Sequence, residues 1–143
     1  MYIVIGANGF LGAYFIKNIL DKTEDNILAV ARSVPQWECD PRVKWVSCDV
    51  TDPTNVEDLN CNYFTSSTGN KIIYLAAYHH PDLVEKNPKI AWDVNVTALS
   101  RFLNTVENVK CLYYPSSDSV YGESVDQYVF SENDALNPVN RYG

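Results

Sequence analysis

The feature that most constrains this chain is the turn closing its first apolar run. Met1–Gly6 (MYIVIG) is strand-like and leads into Gly6-Ala7-Asn8-Gly9-Phe10-Leu11-Gly12, which places three of the chain's six glycines within seven residues. Phe10-Leu11, Phe15-Ile16 and Ile19-Leu20 then recur at helical spacing. In a strand, glycine turn and helix so arranged, the backbone can approach a pyrophosphate and the N–H groups of the helix start face it with positive partial charge. A tight turn with close helix–strand packing and no ligand would draw on the same glycines.

The rest of the pattern alternates in the same way. Asn26–Ala31, Val43–Ser47, Asn70–Ala77 and Val109–Pro115 are strand-like, with Asn70–Ala77 read as a fully apolar buried strand. Asp52-Pro53 is a helix start, with a capping carboxylate and proline at the first helical position. Asp82 and Glu85 have the spacing of a capping box. Ala91, Val94, Ala98, Phe102 and Val106 trace one face of a helix over Ile90–Val106. Residues 122–141 read as a polar loop with one helical turn. This order predicts one α/β domain over 1–143, a Rossmann-type doubly wound parallel sheet with strand order 3-2-1-4-5.

Charge and composition narrow the function. With 18 acidic residues against 11 basic ones the chain carries a net charge of −7, so it lacks the basic footprint that nucleic-acid binding requires. No apolar run approaches the roughly 20 residues of a membrane helix. Met1–Gly6 has no basic stretch or cleavage site ahead of it, which makes the cytoplasm the expected compartment. Cys39, Cys48, Cys61 and Cys111 form no C-x-x-C pair and are expected to be free thiols. His79 and His80 have no carboxylate partner and read as loop residues, not metal ligands.

The end of the second strand bears on which dinucleotide would fit. An acidic residue there suits the ribose 2′-hydroxyl of NAD, whereas arginine suits the 2′-phosphate of NADP. The chain has Arg32-Ser33 and no carboxylate nearby, which favours NADP and leaves NAD as the alternative. Arg32 could instead stack on the adenine or stay solvated.

These motifs resemble the extended short-chain dehydrogenase/reductase family, the NAD(P)-dependent epimerases and dehydratases that act on nucleotide sugars. The resemblance covers nearly the whole chain. Gly6, Gly9 and Gly12 have the family's glycine spacing, with Asn8, Phe10 and Leu11 between them; Asp49-Val50 matches its adenine-contacting acidic position. Leu75-Ala76-Ala77 matches its strand-four segment beside the cofactor, and Asn95 its helix asparagine. Pro115-Ser116-Ser117-Asp118-Ser119-Val120-Tyr121-Gly122 resembles the "SS-x-x-VYG" signature, and Pro138 to Gly143 the "P-x-x-x-Y-G" before the catalytic tyrosine. The resemblance implies that Ser117 contacts the reacting oxygen and that Tyr142 is the general acid/base.

The family's lysine would fall at position 146, past Gly143, and with it the sixth strand and the substrate-binding portion. A tyrosine base near pH 7 needs about 4 kcal/mol of help to ionise, since an unperturbed phenol has a pKa of about 10. The 143 residues alone are therefore expected to turn over no substrate, and Tyr142 to lack fixed geometry. The helix over Ile90–Val106 resembles the one by which family members form homodimers, and an edge-lying fifth strand is expected to expose an apolar face. A dinucleotide-sensing or interaction module without catalysis is the alternative reading.

Overall fold

The computed structural model describes residues 1–35, 40–64 and 69–143, so Cys39 lies outside the described residues. Five strands form one parallel sheet: β1 (Tyr2–Ile5), β2 (Ile27–Ala31), β3 (Val43–Ser47), β4 (Asn70–Tyr74) and β5 (Val109–Tyr113), in the order β3-β2-β1-β4-β5. β1 sits at the centre, with Ile3 opposite Leu28 on one side and Ile72 on the other.

Because side chains alternate along a strand, one sheet serves two cores. Ile3, Ile5, Leu28, Val30, Ile72 and Tyr74 point to one side, where Val56 and Leu59 of α2 (Pro53–Tyr63) and Ala98 and Phe102 of α5 (Ala98–Thr105) cover them. Val4, Ile27, Ala29 and Ile73 point to the other, against Ile16 and Ile19 of α1 (Phe10–Lys22). Asp52 caps α2 through Thr54 N–H at 2.9 Å, with Pro53 at its first position. Beyond α1 the second face is open toward β5, where Tyr113 meets Phe15 at 5.5 Å between ring centres yet stays half exposed.

Four local expectations need correction. β4 ends at Tyr74, so Leu75-Ala76-Ala77 follow the strand, although Leu75 N–H still reaches Ile5 C=O at 2.8 Å. The strand is not fully apolar either: Asn70 is wholly buried with neither amide atom bonded, next to a register shift in the pairing with β5. Asp82 and Glu85 form no capping box. Helix α3 (Pro81–Lys86) starts with Pro81 after His80 as N-cap, which leaves Glu85 too far along to reach back. Finally, the helix over 88–105 is not uniform. Helix α4 (Pro88–Trp92) runs through a π turn at Asp93–Thr97 into α5. Wider spacing there still leaves Ala91, Ala98, Phe102 and Val106 buried, while Trp92, Val96 and Leu103 face outward.

Candidate active site

The segments past the carboxyl ends of the five strands, with Asn95 from the π turn, carry the residues singled out from the sequence, at the edge where parallel α/β sheets bind ligands. After β1, Gly6 takes φ +83°, and a Cβ there would stand 2.9 Å from Ala76 N. Only glycine allows the turn to lie this close to the segment after β4. Gly12 is buried, and a Cβ on it would come within 2.4 Å of Gly6 O and 2.6 Å of Ala7 O, which is how α1 reaches the turn. Gly9 is the N-cap of α1 and contributes no side-chain cap. The first helical bond runs from Ala13 N–H to Gly9 C=O at 3.0 Å, so the amides of Phe10, Leu11 and Gly12 point out of the helix end. No acidic side chain occupies that first turn. Among the described residues nothing accepts from these donors, an arrangement that can hold an anion.

Beside it, Asn8 Nδ2 donates to Ser33 Oγ at 3.1 Å and to Ser33 O at 3.3 Å, tying the glycine turn to the end of β2. Arg32 is exposed there, and its backbone carbonyl accepts from Ser47 Oγ. Asp49, past β3, accepts from Thr51 N–H at 3.0 Å and Thr51 Oγ1 at 2.7 Å. The Thr51 amide first, then its hydroxyl and the charge on Arg32, hold the Asp49 carboxyl below the usual carboxylate range. Both bonds go to Oδ1, and among the described residues none engages Oδ2. Val50 is buried in the core behind it, so its side chain supports the loop.

Asn95 lies in the π turn, and both ends of its amide are used. Its Oδ1 accepts from Tyr78 N–H at 2.7 Å and its Nδ2 donates to Tyr78 C=O at 3.0 Å. The local widening of the helix brings a side chain across to the segment after β4, where it pairs with the backbone as a neighbouring strand would. Leu75-Ala76-Ala77 are thus fixed between Ile5 and Tyr78, with Ala77 exposed. His79 and His80 stand just beyond, exposed, with ring centres 4.5 Å apart.

After β5, Ser117 caps a short 3-10 turn (Asp118–Tyr121). Its Oγ accepts from Ser119 N–H and donates to Asp118 Oδ1, each at 3.2 Å. The strap 137–143 docks onto this turn. Asn137 N–H donates to Val120 C=O at 3.0 Å, and Gly143 packs so tightly on Ser119 that a Cβ would stand 2.4 Å from its carbonyl oxygen. Asn140 Oδ1 accepts from Tyr142 N–H at 3.0 Å and Gly143 N–H at 2.9 Å, as an N-cap does with the amides of a first helical turn. Glu85 then grips Arg141, accepting its backbone N–H at 2.8 Å and its Nε at 3.3 Å. Tyr142 therefore has a fixed backbone on the turn that carries Ser117, contrary to the expectation of a loose end. The sequence reading missed Asp118, Glu85 and Asn140. The Asn-to-Tyr spacing of two was the one local signal for Asn140, whereas the Glu85–Arg141 contact spans 56 positions.

A family model for the "NAD dependent epimerase/dehydratase family" matches residues 2–143. The chain belongs to this family. Among its relatives is a probable low-salt glycan biosynthesis reductase, Agl14 of Haloferax volcanii, 27% identical over 98% of this chain and 44% of the relative. Among solved structures, a monomeric L-threonine 3-dehydrogenase from a metagenome superposes over 100% of this chain and 44% of its own, with a TM-score of 0.80 and 31% identity. MoeE5 in complex with UDP-glucuronic acid and NAD matches at a TM-score of 0.73 and 25% identity, over 99% and 44% of the two chains. The chain thus spans under half the length of these epimerase/dehydratase relatives. The unpaired amides at the start of α1 suit a family described as NAD dependent. Among the described residues no helix is long and apolar enough to cross a membrane.

Proposed function

We propose that this chain is the cofactor-binding part of an oxidoreductase that exchanges hydride reversibly with a nucleotide sugar or a related hydroxyl or carbonyl substrate. The observation that carries the reading is the docking of the strap 137–143, which bears Tyr142, onto the turn that Ser117 caps, with the amides of the α1 N-terminus on the same carboxyl edge of the sheet. A bound dinucleotide would supply the hydride acceptor. The amides of Phe10, Leu11 and Gly12 would face its pyrophosphate, with Gly9 leaving room for close approach. Asp49 Oδ2 would accept from the adenine amino group. Asn95 acts through Tyr78, keeping Leu75-Ala76-Ala77 in place beside the cofactor.

Arg32 and Ser33 favour NADP over NAD, since the exposed guanidinium can form a charge-assisted pair with a 2′-phosphate while Asn8 holds Ser33 beside it. Ser117 Oγ would turn from Asp118 to the substrate oxygen, and the Tyr142 phenol would take or return the hydroxyl proton. In a chain that continues past Gly143 we place a lysine at position 146, one helical turn beyond Tyr142, to favour the phenolate. The 143 residues alone are inactive on this reading. The free thiols Cys48, Cys61 and Cys111 suit a cytoplasmic setting, and the outward Trp92, Val96 and Leu103 suit a second copy in a homodimer. The test is to incubate the purified chain with UDP- and dTDP-sugars and either oxidised dinucleotide while following absorbance at the nicotinamide band. No turnover is expected. Steady turnover abolished by Tyr142→Phe would refute the inactivity, and turnover unaffected by Tyr142→Phe would refute the residue roles.

A further inference from the structure

The strap 137–143 is joined to the rest of the described chain by hydrogen bonds from two places. One is Val120, on the same turn that Gly143 touches; the other is Glu85, on a separate element. Two anchors on one short turn leave a strap free to pivot about the line between them. A contact from a third point removes that pivot, and α3 supplies it, seated in the structure by the buried Val84 next to Glu85. The hold is two-point: Oε1 takes the Arg141 backbone N–H at 2.8 Å and Oε2 faces Arg141 Nε at 3.3 Å. A half-exposed ion pair alone stabilises little. The backbone N–H, however, belongs to the residue directly before Tyr142 and has a carboxylate as acceptor, the stronger kind of hydrogen bond.

We propose that Glu85 is a positioning residue for Tyr142, acting through its grip on Arg141. This rests on the reading of Tyr142 as the acid/base. A phenol on a two-atom hydrogen-bonded lever swings by more than its backbone does, and misplacement by about 1 Å is enough to lose about a hundredfold in rate. Sequence separation hides the pair: Arg141 fills a variable position of the tyrosine signature, and Glu85 lies outside both signatures.

The experiment uses the chain as it stands, labelled with 15N throughout and with 13C in the tyrosine rings, as wild type, Glu85→Ala, Glu85→Gln and Tyr142→Phe (for assignment). In Glu85→Ala the Arg141 amide is expected to exchange with solvent about tenfold faster. The Tyr142 ring signals should move toward an unstructured position while Tm stays near wild type. Glu85→Gln keeps an oxygen acceptor for the Arg141 N–H and should restore most of the protection. Unchanged Arg141 exchange in Glu85→Ala overturns the grip, and unchanged Tyr142 signals overturn the positioning role. If both change as expected but Tyr142→Phe leaves unchanged any turnover in a chain that continues past Gly143, the acid/base reading falls while the grip of Glu85 on the strap stands.

Discussion

Replacing Gly12 with alanine tests the cradle at its tightest point. A Cβ there would sit 2.4 Å from Gly6 O and 2.6 Å from Ala7 O, both backbone atoms of the turn and not flexible side-chain ends. To reach a tolerable separation α1 must retreat by about 0.6 Å, a movement that also loosens Ile16 and Ile19 from the sheet. Overpacking of this kind costs about 1–3 kcal/mol. Alanine in a helix gains back about 1 kcal/mol relative to glycine. The backbone cannot yield as a side chain would, which puts the steric cost at the upper end, about 2–3 kcal/mol, and leaves an expected net loss of about 1–2 kcal/mol. For a domain of this size that lowers Tm by roughly 3–8 °C. Gly9→Ala is the control, because its Cβ would meet one atom, Gly6 O, at 3.2 Å. It should cost under about 1 kcal/mol, the range for a weakened N-cap, while still crowding the approach of a pyrophosphate. Thermal unfolding followed by circular dichroism, with dinucleotide titrations on both variants, measures the pair. Gly12→Ala should lose stability and binding, Gly9→Ala chiefly binding. A Gly12→Ala protein as stable as wild type, or more so, would refute the packing argument.

Other expectations follow from the same geometry. Asn95→Ala removes two hydrogen bonds to Tyr78 and should destabilise by about 1–3 kcal/mol in urea unfolding, with dinucleotide affinity falling alongside. Arg32→Glu should cut the preference for NADPH over NADH by about 10- to 100-fold in paired titrations, the scale of one charge-assisted bond. Asp49 has a folded-state pKa below its unfolded value, so its bonds to Thr51 stabilise the fold above the unfolded value of about 3.9. That contribution is lost as pH falls through the folded pKa, and Asp49→Asn should flatten this acid limb of stability. Burial first, then the charges on Asp49 and Asp52, push the Cys48 thiol up to about 11, so Cys48 should resist alkylation in the native chain while the exposed Cys61 and Cys111 react.

The sheet was legible because its evidence is local and periodic. Each strand core is a short apolar run, and the glycine turn after β1 orders the rest. What the periodicity could not carry was any feature made by two distant segments. The π turn at Asp93–Thr97 leaves the helical face of Ala98, Phe102 and Val106 intact, so the pattern still reads as one uniform helix. Its purpose emerges only with Tyr78, 17 positions from Asn95. Glu85 matched a capping box by spacing, yet its carboxylate is spent on Arg141. The end of β4 at Tyr74 depends on where the pairing with β1 stops, at Ile5 opposite Tyr74, which no local pattern encodes. The candidate site residues were picked out as an ordered series of motifs. The docking of the strap that bears Tyr142 onto the turn that Ser117 caps belongs to the fold alone.

The most direct test of the account is a calorimetric titration of the 143-residue chain with NADPH and with NADH. Saturable one-to-one binding, tighter for NADPH and lost in Gly12→Ala, is the predicted result. No heat and no thermal stabilisation from either dinucleotide at millimolar concentration would contradict it.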